Sequence, residues 1–406
     1  GKVFGAGLAM IALVLASSGL FVLLFQNELL HSLRWEETPE YLYYFIAILA
    51  LDALSALPFA RLRRTNKAVR FAGIKLALIF SNVLINLYIF LPAYWELHGS
   101  VGYWSHEMRG VGYIFVANFW AAVLMFALLL PTLFPLQLNL DKRYVKTLLM
   151  FGIPLLIGGL AGIANEMLDR QLLKYLLPKE SAYAGVGIYG AVYKISIFLI
   201  LFNQAFRYAA EPFFFKNAKT KDGPERMSTV MDGFAWVMCV GFVLIISGLD
   251  YLKFFVDDKF WTGLHLVPIL LLANVILGIN TNLNVWYKVS DKTVYGIYIT
   301  FVGLIITVIG NVALIPVLGI LGAACTTLAA YFAMFIASVL WGRKHYPVPY
   351  NWSKIGAFVG FACLVVFILH YTNWPTGPLK VLGGMVYLGI MLFWERNGLL
   401  KFATRK

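Results

Sequence analysis

Apolar residues run through this chain in blocks of about 20, broken by short polar or basic stretches, and the alternation expected of a membrane barrel is absent. In order the blocks are Val3 to Phe25, Tyr41 to Phe59, Leu76 to Trp95, Val111 to Phe134, Leu148 to Leu168, Val186 to Phe214, Thr229 to Leu249, His265 to Trp286, Tyr295 to Val317, Gly322 to Trp341, Ile355 to Tyr371 and Leu379 to Trp394. At about 1.5 Å per residue, blocks of this length cross a hydrocarbon core of about 30 Å. The pattern predicts about twelve transmembrane helices. In lipid the backbone amides of each must be satisfied inside its own segment, so the expected fold is an all-α polytopic membrane protein.

The stretches between blocks alternate in charge. Arg61, Arg63, Arg64, Lys67, Arg70 and Lys75 share one, Lys142, Arg143 and Lys146 another, and Lys216, Lys219, Lys221 and Arg226 a third. Lys288 and Lys292, then Arg343, Lys344 and Lys354, then Arg396, Lys401, Arg405 and Lys406 continue the series. These loops hold about 22 of the 33 basic residues and the opposite loops about 8, which makes the former cytoplasmic and puts both termini there. Composition agrees: 61% of the 406 residues are hydrophobic, 13% are charged and the mean hydropathy is +0.77. The net charge of +13 then reads as a topology signal with attraction for anionic lipid head groups. No basic stripe interleaved with aromatics points to nucleic acid. The chain enters its first block within a few residues of Gly1, without an initiator Met or a basic leader, and reads as a fragment.

Familiar chemical motifs lead nowhere. Cys239, Cys325 and Cys363 stand singly in apolar blocks, without the spacing of a zinc site or a disulfide framework. Gly185, Gly187 and Gly190 spell a dinucleotide fingerprint, but it opens a membrane helix where the fingerprint needs a preceding strand. The sequon at Asn351 lies among basic residues on the cytoplasmic side. His98 and His106, with Glu96 and Glu107, read as a wet outer loop in preference to a metal site. No metal, cofactor or catalytic set is expected, and the chain reads as a non-enzyme.

Polar residues inside the blocks carry the functional signal. Lys194 lies deep in its block, where a cation costs about 2.5 to 3.5 kcal/mol on insertion scales and usually faces a cavity, a partner or an ion path. On a helical wheel Gly190, Tyr193, Lys194, Gln204, Tyr208 and Glu211 share one arc, the expected wall of an aqueous cavity. Arg207 stands four residues before Glu211 at the cytoplasmic end of that stripe, where a head group would enter. The competing reading has Lys194 snorkel, or pair with Asp52 or Glu166 to lock two helices. Asp52, Glu166 and Asp169 are candidate proton or sodium sites, and Glu166 is also spaced to pair with Arg170 on one helix face. Asn274, Asn280, Thr281, Asn282 and Asn284 make another block unusually polar, either for interhelical hydrogen bonds or for cavity lining.

An internal echo organises the chain. Asn82 to Asn86 with Pro92 after a basic loop resembles Asn311 with Pro316 after Lys288 and Lys292, at a separation of about 225 residues, as expected of parallel repeats around a midplane site.

After Asn311 and Pro316, the run Gly319-Ile320-Leu321-Gly322-Ala323-Ala324-Cys325-Thr326-Thr327 resembles the ending typical of polysaccharide and lipid-linked oligosaccharide flippases. Asp52 with Pro58-Phe59-Ala60-Arg61-Leu62-Arg63, then Asp169-Arg170, Gly187-Ile188-Tyr189 through Lys194, and Glu211-Pro212-Phe213 resemble further landmarks in family order. The resemblance, which covers essentially the whole chain, is to the O-antigen type branch of the multidrug/oligosaccharidyl-lipid/polysaccharide exporter superfamily. It implies about fourteen helices in two lobes of about six around a central cavity plus a final pair, of which this chain would lack about the first two. Residues 1–134 would then be the remainder of the N-terminal lobe, 135–147 a cytoplasmic linker, 148–345 the C-terminal lobe, and 346–406 the extra pair with a basic tail.

The same resemblance implies a bacterial inner-membrane flippase for a polyprenyl-pyrophosphate-linked oligosaccharide in surface polysaccharide synthesis. Membrane lipids, and polysaccharide polymerase or ligase proteins, would be its partners. In the related lipid II flippase family a cavity-facing Arg sits where Lys194 falls. Lys keeps that charge without the bidentate fork. The substrate-binding set is then Lys194, Gln204, Arg207, Tyr208 and Glu211. A cation-coupled multidrug exporter of the same superfamily is the nearest rival and would favour carboxylates over a central Lys. From another class, a membrane glycosyltransferase, polymerase or ligase would need a larger outer loop with a catalytic set.

Overall fold

A computed structural model describes residues 2–33, 35–65, 67–90, 112–134, 142–218, 220–372 and 374–404, and within these the side chains at 2, 68, 90, 151, 154, 155, 208, 211, 212 and 397–404 are left undescribed. The expected outer-loop residues Pro92, Glu96, His98, His106 and Glu107 lie outside the described residues. Among the described residues the chain is helical throughout, with no strand. Among the described residues eleven helices are long and apolar enough to cross a membrane. The remaining expected block, Leu148 to Leu168, falls inside a longer helix, Lys142–Leu176.

The chain divides into two compact units, Gly1–Ile153 and Pro154–Lys406. The division falls within a helix, and most of the expected linker at 135–147 lies outside the described residues.

The first unit contains α1 (Lys2–Leu24), α2 (Gln26–Leu33), α3 (Glu40–Arg64), α4 (Ala68–Phe90) and α5 (Gly112–Leu133). α5 packs on both α3 and α4 because Ala117, Ala121 and Ala122 give it a face without bulk, which lets the backbones approach. Phe59, Leu62, Ile74, Met125 and Leu129 close the seam at one end. There Arg61 donates to the carbonyls of Thr132 and Phe134 at 2.7 and 3.2 Å, capping the last turn of α5, whose carbonyls have no helical partner. Asn82 Nδ2 donates to Asn118 Oδ1 at 2.8 Å, so the Asn-rich stretch of α4 joins it to α5.

The second unit takes in α6 (Lys142–Leu176) from Pro154 onward, then α7 (Lys179–Tyr193), α8 (Ile197–Asn217), α9 (Gly223–Ser247), α10 (Leu249–Leu252), α11 (Val267–Leu283), α12 (Val285–Val289), α13 (Val294–Leu318), α14 (Ile320–His345), α15 (Trp352–Tyr371) and α16 (Pro378–Thr404). α9 is its axis: Met231, Phe234, Met238, Phe242, Val243 and Ile246 are buried, and α11, α15 and α16 pack around it. Lys354 at the start of α15 reaches Asp232 of α9 at 3.6 Å and Glu395 of α16 at 2.8 Å, an ion triad at one end of this seam.

The flippase-like run at 319–327 forms a helical hairpin. Gly319 adopts φ +59° and ψ −135°, where side chains are rarely tolerated, and reverses the chain between α13 and α14. A Cβ at Gly322 would strike the Leu314 carbonyl, and one at Gly310 would sit 2.7 Å from the Thr326 side chain. The glycines let α13 and α14 lie against each other, and that contact sets Asn311 and Thr327 side by side.

Candidate functional site

Four helices of the second unit converge on Asp169. It lies on α6 with only 2% of its surface exposed. Thr327 of α14 donates to Oδ2 at 2.6 Å, Tyr189 of α7 donates to the same oxygen at 3.0 Å, and Asn311 Nδ2 of α13 donates to Oδ1 at 2.9 Å. Asn165, one turn before Asp169, extends the seam by donating to the Thr300 carbonyl at 2.9 Å and accepting from Thr307 at 3.0 Å. Three donors to one buried carboxylate are a polar network closed within the unit.

One atom of the network is left over. Asn311 Oδ1 is buried and has no hydrogen-bond partner beside the carboxylate its own amide contacts. A buried carbonyl oxygen without a donor is costly. Here it adds an acceptor to a group of oxygens made of Asp169, Thr327 and Tyr189. Such a set suits a proton or a hard cation and not a thiophilic metal, and no cluster of three His, Cys, Asp or Glu occurs among the described residues.

Of the expected coupling residues, Asp169 alone is buried. Glu166 is exposed on α6 and Asp52 is exposed on α3. The hydroxyl next to Asp52 is engaged elsewhere, since Ser55 donates to the Leu51 carbonyl at 2.7 Å. The expected ion pair between Glu166 and Arg170 does not form among the described residues. Instead the Arg170 guanidinium lies 4.7 Å from the centroid of the Tyr193 ring, where the ring quadrupole holds it.

That contact also corrects the polar stripe. Tyr193 is buried beneath Arg170, whereas Lys194, the next residue, is exposed. Phe198 and Leu201 are exposed between Lys194 and Gln204, so the face is mixed and not a continuous polar wall. Phe198 and Leu201, four and seven residues after Lys194, share its face by helical spacing alone. A single 3₁₀ turn at Lys194–Ser196 joins α7 to α8 there.

Lys194 therefore sits at a joint in a membrane-spanning segment, and it makes no ion pair or hydrogen bond among the described residues. Gly190, one turn before it, has open space where a side chain would stand. Gln204 and Arg207 are exposed on α8, and the side chains of Tyr208 and Glu211 lie outside the described ones. Arg207 lines a cavity of about 20 Å³ with Asn203, Thr281, Asn282 and Lys288, room for a water between two cations. Among the asparagines of α11 and its end, Asn284 bonds another helix, accepting from Ser338 of α14 at 2.7 Å. Asn280 is buried with neither end of its amide paired.

Sequence reasoning assigned no role to Tyr189, Asn311 and Thr327, which complete the Asp169 network. Each stood in the chain as part of a family landmark, and their polar side chains in apolar helices were the available signal.

No protein-family model and no curated protein matches the chain. Among solved structures it is similar to the lipid II flippase MurJ in its inward closed conformation, with a TM-score of 0.72 at 12% sequence identity, over 98% of this chain and 84% of that one. At that identity the likeness is one of fold, and it marks the chain as a multi-pass helical protein built on the MurJ plan.

Proposed function

We propose that this protein is a flippase of the bacterial inner membrane that moves a polyprenyl-pyrophosphate-linked oligosaccharide between leaflets by alternating access. The observation that carries the reading is Lys194: an exposed cation, deep in a spanning segment, with no counter-charge among the described residues of a MurJ-like fold. A pyrophosphate supplies the missing charge. Lys194 meets it as a point charge, Arg207 and Gln204 receive the head group nearer the basic loops, and the lipid tail stays in the bilayer. A membrane potential of about 100 mV, inside negative, contributes about 2.3 kcal/mol per charge moved outward and favours export of an anion. Tyr208 and Glu211 complete the substrate set, and polymerase or ligase proteins receive the product.

Asp169 is the coupling residue in this reading, supported by its burial and by the orphan Asn311 oxygen beside it. A cation-coupled multidrug exporter would use the same carboxylate but has no need of Lys194.

The test is leaflet exchange of labelled polyprenyl-pyrophosphate sugar in vesicles containing the full-length protein. A charge-assisted contact of about 1.5 to 3 kcal/mol predicts that Lys194→Ala slows exchange by about tenfold to a hundredfold, with Lys194→Arg retaining most of it. Unchanged exchange in the alanine variant removes Lys194 from the path. Absence of exchange by the folded native protein, with export of organic cations, replaces the flippase by the drug exporter.

A further inference from the structure

α14 and α15 follow one another in the chain but splay apart, and the space between them, floored by α11, is a groove of about 390 Å³. Its walls are apolar: Ile279, Phe332, Phe335, Ile336, Ile355 and Gly356 among them. The groove wall on α14 runs from Phe332 to Leu340, about 12 Å at the helical rise, most of the roughly 15 Å of hydrocarbon in one leaflet. At the basic end it abuts a small second cavity that shares Val339 and Trp352 with it and is lined by Arg343, Tyr346 and Tyr350. Arg343 is exposed in the last turn of α14 with Lys344 beside it, and makes no ion pair among the described residues. Lys354, the next cation, is already held by Asp232 and Glu395.

An apolar trough ending at a free cation, in helices that cross a membrane, has the polarity of one leaflet of lipid. We propose that this seam is a binding site for an anionic phospholipid, with one acyl chain along the groove and the phosphate against Arg343. Charge favours a lipid over a partner helix, because an apolar trough with a cation at its end matches an acyl chain joined to a phosphate. The N-terminus of α15, at Trp352 beside the second cavity, adds its positive dipole end on the side where the phosphate would sit. The site is independent of the transport path proposed above, and its occupant is a resident lipid and not cargo.

Gly356 provides the test, because it lines the groove and a Cβ there meets nothing within 4 Å, so a larger side chain starts in the groove's open space. The full-length protein is purified from nanodiscs holding equal phosphatidylglycerol and phosphatidylcholine with identical chains, and the retained lipid is counted by native mass spectrometry. The native protein is expected to retain phosphatidylglycerol about fivefold over phosphatidylcholine, the effect of one basic residue at a lipid surface. Arg343→Ala should bring the two to parity and Arg343→Lys should restore the preference. Gly356→Leu should lower retention of both lipids, and Gly19→Leu, at an equally open glycine of α1, should match the native protein. Parity in the native protein, or native retention by Gly356→Leu, overturns the site. So does a native dimer that Gly356→Leu converts to monomer, which would make the groove a seam between two copies.

Discussion

Thr327 offers the sharpest test of the Asp169 network, because its one hydroxyl proton must choose among acceptors; with the Tyr189 hydroxyl, 3.2 Å away, already donating to Asp169, two are left. Asp169 Oδ2 lies at 2.6 Å and the Ala323 carbonyl of its own helix at 3.0 Å. If the carboxylate is ionised the proton goes to Asp169, a charge-assisted bond of about 1.5 to 3 kcal/mol in soluble proteins. Hydrogen bonds between membrane helices average about 0.6 kcal/mol and reach about 1.7, so the upper half of the soluble range is too high here. Thr327→Val, which keeps the shape and removes the proton, should therefore cost about 1 to 2 kcal/mol. In an Asp169→Asn background the cost should fall below about 0.6, because Thr327 can turn back to Ala323 and the charge is gone. The coupling energy of the cycle is then about 1 kcal/mol, read by reversible unfolding of the four proteins in mixed detergent. Equal costs of Thr327→Val in both backgrounds, within about 0.3 to 0.5 kcal/mol, would refute an ionised Asp169 held by Thr327.

Further consequences are each open to one measurement. Gly319→Ala forces a side chain into φ +59°, ψ −135° and should destabilise the protein by about 1 to 3 kcal/mol, visible as an earlier thermal transition. Lys354→Met leaves Asp232 and Glu395 facing each other at partly buried positions and should cost more than the triple change Lys354→Met, Asp232→Asn, Glu395→Gln; the reverse order would show that the triad is not a coupled unit. If Asp169 binds sodium, millimolar sodium should raise the melting temperature of the native protein, potassium should not, and Asp169→Asn should abolish the difference.

Much of this architecture was legible because hydropathy needs no knowledge of partners. Each spanning helix announces itself within its own residues, so blocks such as Thr229 to Leu249 and Ile355 to Tyr371 lie close to the helices Gly223–Ser247 and Trp352–Tyr371. What was not legible depended on geometry beyond one segment. The 3₁₀ turn at Lys194–Ser196 carries no Gly or Pro to betray it, and the burial of Tyr193 beside an exposed Lys194 depends on which helices pack there. Asp169 was visible as a charge, but its donors Asn311 and Thr327 lie 142 and 158 residues away, and only the hairpin built by Gly319 and Gly322 delivers them. The division into units at Ile153 falls inside α6, where nothing in the local composition changes.

Asp169 and Lys194 are both charges in an apolar setting, and the difference in how they are compensated assigns their parts. The Asp169 carboxylate meets three donors inside its own unit, so the structure already offsets much of the cost of holding it there. Lys194 has no such donors or acceptors among the described residues, and about 2.5 to 3.5 kcal/mol of unfavourable placement is left standing. That energy is recovered only when an anion arrives from outside the unit. A ligand shifts a conformational equilibrium by its differential affinity for the two states, and recovering this energy in one state alone amounts to a preference of about 70-fold to 400-fold. In the proposed flippase an uncompensated Lys194 would thus be a store of differential affinity for an anionic head group, on the scale an alternating-access cycle needs. A neutralising carboxylate at rest would cancel it, and Lys194→Met would then bind the labelled pyrophosphate lipid as tightly as the native protein.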